Sequence, residues 1–129
     1  MSNMAQSASG RGRRSVRLWF GFLGAPAAWT VHLLTSYTVH ALGCRAGVGS
    51  ALRWWLIGLT LVCAAVATAA GVVGYGTWRR THQGPLGAQS PPAGAAAFVG
   101  LAGVLLSAVF VLGILLGGLV PAIALPLCR

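Results

Sequence analysis

No aspartate, glutamate or lysine occurs in the 129 residues, and charged residues make up only 7% of the chain. The missing carboxylates exclude carboxylate acid/base catalysis, carboxylate-bound calcium or magnesium, Ser-His-Asp triads and membrane carboxylate proton relays. No nucleophile motif or nucleotide motif stands in for them, so an enzyme acting alone is not expected. The nine arginines that carry the net charge of +9 have no acidic side chain to pair with. They must face water, lipid phosphate or a partner.

What is present is apolar: 57% of residues are hydrophobic, far from the makeup of a soluble domain, where about 25% of residues are charged. The arginines stand where apolar segments end, which fits attraction to anionic lipid headgroups. Nucleic-acid binding is not expected, because the aromatics sit at segment ends and do not interleave with the basic residues.

The chain reads as an all-α membrane protein with three transmembrane helices in one domain, 18–129. A small, polar and basic tail, 1–17, is expected to be disordered. The spans fall at about 19–42, 54–77 and 96–120, each long enough for the roughly 20 residues a crossing needs. A Gly/Pro/Ser-rich loop separates the second from the third, and prolines at 121 and 126 suggest an extended outer tail, 121–129. A cleaved signal peptide is the competing reading of the first segment, with "APAA" as the cleavage site. The apolar run continues past it to Leu42, which favours a span.

Arginine asymmetry sets the expected orientation. Arg11, Arg13, Arg14, Arg17, Arg79 and Arg80 fall on one side, and Arg45, Arg53 and Arg129 on the other. The N-terminus is therefore expected inside and the C-terminus outside, in a multi-pass protein of the bacterial inner (cell) membrane. Trp19, Tyr75 and Trp78 then mark the inner interface, and Trp54 with Trp55 the outer one, as aromatic belts require. Helices in lipid meet through small and scattered polar residues. Candidate contact positions are Gly103 with Ser107, Gly113 with Gly117, and, in the second span, Ala67 with Gly71 and Ala70 with Gly74. Pro26 should kink the first helix or mark a late start.

Cys44 and Cys128 both fall on the outer side, where disulfides persist. The residues from Val120 to Cys128, if extended, reach about 25 Å, enough to cross a three-helix unit. A Cys44–Cys128 disulfide is the preferred expectation, with metal ligation by the same thiolates or unlinked cysteines as alternatives. Cys63 should sit near mid-depth as a small hydrophobe. His32 lies close to the bilayer centre and His40 about 12 Å higher, so they do not form one ligand pair. Thr35, Ser36, His32 and His40 share one broad face that must point into protein. For His32 three roles stand open: interhelical hydrogen bonding, contact with a haem or quinone, and proton transfer. His40 with Cys44 offers soft ligands for copper, two being too few for a stable site. His82 reads as a solvated residue.

The first span, with Trp19, Gly24, Pro26, Trp29, His32, Tyr37 and Cys44, and the terminal Cys128, resembles small bacterial multi-span membrane proteins encoded beside haem-copper cytochrome oxidase genes. The match departs from their pattern in having "GAPAAW" where they carry "GPLAW"-like residues, and the second span contributes nothing to it. The resemblance implies an accessory or assembly protein associated with a respiratory haem-copper oxidase, acting through helix–helix contacts with other membrane subunits or by self-association. Haem or copper at His32 or His40 is the extension of that reading. The alternative class is a small homo-oligomeric pore-forming or transporter subunit, including a holin-like one. Such a pore needs only packing faces and a basic tail.

Overall fold

The computed structural model describes residues 2–47, 49–82 and 91–124, with side-chain surroundings for 10–47, 50–81 and 94–123. Three helices follow in order: α1 Ser2–Arg45, α2 Gly49–His82 and α3 Pro91–Ala124. Each is long and apolar enough to cross a membrane, over Gly10–Arg45, Ser50–Thr81 and Gly94–Ile123. The chain is a three-helix, multi-pass membrane fold, with no strand among the described residues.

Three boundaries differ from the sequence reading. The tail expected to be disordered is helical from Ser2. Its "MAQSASGRGRRSVR" contains no proline, and adding turns to an existing helix avoids the unfavourable nucleation step. Pro26 neither starts nor ends α1, which runs through it. The third helix continues through Pro121 to Ala124, past the position where the outer tail was expected to begin. Proline removes a single backbone donor, and the flanking "GGLV" and "AIA" continue the helix on both sides. At its other end Pro91 occupies the first helical position, where its missing N–H breaks no helical bond.

α1 and α2 form a tight hairpin. Beyond Arg45 the chain turns at Gly47, whose φ of 71° lies in the left-handed region that glycine enters without a Cβ penalty. Gly47 N–H donates to the Cys44 carbonyl at 3.4 Å, closing the end of the helix. The four N-terminal arginines of α1 and the Arg79–Arg80 pair of α2 therefore share one end of the bundle. Arg45 and Arg53 lie at the hairpin end.

The core follows a 3.5-residue repeat. On α2 the buried Leu56, Thr60, Cys63, Ala67, Ala70 and Gly74 stand alternately four and three apart, with Leu52 and Ala64 buried beside this stripe. That spacing belongs to helices that wrap around each other left-handed. Gly21, Ala25, Ala28 and His32 keep the same rhythm on α1, as do Gly100, Gly103 and Ser107 on α3, with Ile114 and Gly118 beyond. Most of these are small because lipid supplies no hydrophobic drive between helices. Contact must come from close approach and dispersion. The outward residues, such as Leu34, Val62, Leu105 and Val109, are exposed and apolar, which suits them to lipid.

Candidate functional site

His32 is buried between the helices, 2% exposed. Its Nε2 lies 3.1 Å from Oγ1 of Thr60, itself fully buried on α2. Thr60 Oγ1 donates its single proton to the Leu56 carbonyl at 2.7 Å. A carbonyl only accepts, so Thr60 has no proton left for the imidazole, and Nε2–H of His32 is the donor. The pair forms a directed chain: His32 to Thr60 to the α2 backbone.

α3 completes this layer with Gly118. A Cβ at that position would overlap the Thr60 hydroxyl and come within 2.6 Å of its Cγ2. Only a glycine lets the α3 backbone lie against Thr60. All three helices thus meet at one level, each through a single residue. Below it, the Trp29 and Phe110 rings stack at 5.4 Å and 50°, and Ile114 is fully buried beside them. Above it, one turn along α1, Ser36 keeps a buried hydroxyl oxygen with no hydrogen-bond partner.

A haem iron or copper ion at His32 Nε2 would have to displace Thr60 and open the layer. His40 stands two turns away and half-buried. Among the described residues no group of three or more His, Cys, Asp or Glu side chains converges on one point. The geometry of His32 is that of an interhelical hydrogen bond. Cys63 is a buried free thiol in the core cluster. Cys128, the second half of the expected disulfide, lies outside the described residues, as do Arg129 and the surroundings of His82.

The expected packing residues divide. Gly103 lies against α1, where a Cβ would come within 2.6 Å of the Gly21 carbonyl oxygen, and Ser107 is buried against Gly71. Gly117 does not pack: it is exposed, with nothing within 4 Å of a Cβ. Gly113 borders the Trp29 indole, with room for a methyl group. The third-helix contact stripe passes through Gly118 in place of Gly117. Of the aromatics expected at the interfaces, Trp19, Trp54, Trp55 and Tyr75 are exposed, and Tyr75 stacks on Trp78 at 5.8 Å. Tyr37, 80% exposed, points away from the bundle.

Thr60, Gly118, Gly21 and Gly100 are absent from the sequence reading, which names Gly74 as a contact position and not the helices it meets. Thr60 had a usable signal, as a lone hydroxyl in phase with Cys63, Ala67 and Ala70. Compared with known families, curated proteins and solved structures, the chain matches none.

Proposed function

We propose that the chain is an integral membrane accessory or assembly protein that works by presenting its outer helical surface to other membrane subunits, with a respiratory haem-copper oxidase as the complex. The observation that carries this reading is the closed His32–Thr60–Gly118 layer. The polar residue with the best claim to chemistry is used to hold the protein's own helices together. A scaffold needs a rigid interior and an apolar exterior, and no reactive centre. The oxidase as partner rests on the resemblance of the first span and terminal cysteine.

The orientation proposed is N-terminus inside and C-terminus outside, in a bacterial inner membrane, because the six-arginine end belongs on the cytoplasmic side. A Cys44–Cys128 disulfide ties the outer tail to the hairpin end. Its support is that Cys44 and Cys128 both fall on the outer side in this orientation, whereas Cys63 is a free thiol buried in the core. Labelling with a membrane-impermeant thiol reagent, before and after reduction, checks both points: label should appear only after reduction. Equal labelling in the two conditions removes the bridge.

The pore alternative is less well supported. A water-filled pore between copies needs a polar outward stripe. The exposed hydroxyls of Thr30 and Thr38 are instead spent on the carbonyls of Pro26 and Leu34 in their own helix. The deciding experiment is mild-detergent co-purification from native membranes. Recovery of oxidase subunits supports the accessory reading. Recovery of self-complexes alone, with ion leakage on expression, replaces it with the pore.

A further inference from the structure

An open apolar groove of about 700 Å³ runs along the outside of the α1–α2 pair. That volume lies within the range of ligand pockets, about 300–1,000 Å³. Its walls include Trp19, Leu23 and Val31 from α1 and Val62, Cys63 and Val66 from α2, and its one hydroxyl, Ser15, lies at the arginine end.

Two features of the groove specify an occupant. The first is length. From Trp19 at the interface to Val31 is about 18 Å at 1.5 Å per residue. One leaflet of hydrocarbon is about 15 Å deep, half of the roughly 30 Å core. The groove stops near the bilayer centre, at Val31 and Val62. A partner helix would need a full crossing, whereas an acyl chain needs one leaflet.

The second feature is charge at the mouth. Eighteen residues make about five full helical turns, so residues eighteen apart share a face. Arg13 stands eighteen before the lining residue Val31, and Arg80 eighteen after the lining residue Val62. Arg17 shares the face of Ala28, which also lines the groove. Since Gly21 packs on Gly74 in this antiparallel pair, Arg80 falls at the depth of Ser15. Three exposed guanidinium groups therefore gather where the groove opens to the interface, in a chain with no carboxylate side chain to neutralise them.

We infer that this groove binds one anionic phospholipid, its acyl chain along the apolar walls and its phosphate on Arg13, Arg17 and Arg80. Guanidinium groups suit phosphate oxygens, to which they donate two parallel hydrogen bonds. The inference holds whichever end of the bundle faces the cytoplasm.

The test uses the full chain in nanodiscs of mixed phosphatidylglycerol and phosphatidylcholine with identical acyl chains, with retained lipid counted by native mass spectrometry. One phosphatidylglycerol should stay with each chain. Arg13→Gln, Arg17→Gln and Arg80→Gln together should weaken retention roughly a hundredfold, at about a tenfold loss for each 1.4 kcal/mol and about 1 kcal/mol per arginine. Ala27→Trp, which fills the groove from an exposed lining position and leaves the arginines intact, should abolish retention. Arg45→Gln with Arg53→Gln, at the hairpin end, should leave retention unchanged, and circular dichroism checks that each variant remains helical. Three results overturn the inference: equal retention of phosphatidylcholine, retention unaffected by Ala27→Trp, or a second copy of the chain bound in place of lipid.

Discussion

The two halves of the bundle are held together by different means. At the arginine end the helices meet backbone to backbone: Gly21 rests on Gly74, Gly103 on Gly21, and Gly100 on Gly74 and Trp78. Toward the hairpin end the contact is a directed polar chain, His32 to Thr60, with Gly118 closing over it. Glycine contact gains dispersion over a long shared surface and tolerates no added atom. A hydrogen bond in lipid gains only a modest increment, because the separated helices find other partners for the same groups. The comparison teaches that the conspicuous histidine need not be the main source of stability.

The sharpest break in this comparison is Gly103→Leu. A side chain there drives into the Gly21 carbonyl, which cannot move aside as a side-chain tip can. The expected loss is about 3 kcal/mol or more, read from thermal unfolding in detergent. Gly118→Ala comes next, at about 1–3 kcal/mol, because its methyl displaces Thr60. It should also break the His32 contact, visible as a changed imidazole nitrogen shift by NMR. Trp29→Ala removes the Phe110 stacking and should cost about 1 kcal/mol beyond the area it uncovers. The smallest effect reverses sign. Gly117→Ala meets nothing and should be neutral or stabilise by up to about 1 kcal/mol through helix propensity. A large loss at Gly117 would mean that α3 packs on the other phase of its glycine pair.

The Gly117 result shows where sequence reasoning reached and where it stopped. The three spans, their order and the inward face of α1 were legible, because apolar length and helical phase depend on local residues alone. Gly103 and Ser107 were legible as small residues four apart. Gly113 and Gly117 have the same spacing, yet the 3.5-residue stripe through Gly100, Gly103, Ser107 and Ile114 continues to Gly118. In a "GG" pair one residue of phase decides which glycine faces protein, and only the long stripe supplies that phase. Thr60 was out of reach as the partner of His32 for a different reason. Pairing across helices depends on antiparallel register, which the short turn at Gly47 and the Gly21–Gly74 contact set jointly. The helical course of residues 2–17 was missed because a polar, basic composition describes what cannot form a core, and a helix extending from a membrane span needs none.

The central claim is that His32 is a structural residue bonded to Thr60. A double-mutant cycle with His32→Ala and Thr60→Val, measured by unfolding in detergent micelles, tests it directly. The account predicts a coupling of about 0.6–1.7 kcal/mol, the range of interhelical hydrogen bonds in membranes, with the optical spectrum of the gently purified protein unchanged by His32→Ala. Zero coupling, together with a haem band in the wild type that His32→Ala removes, would contradict it.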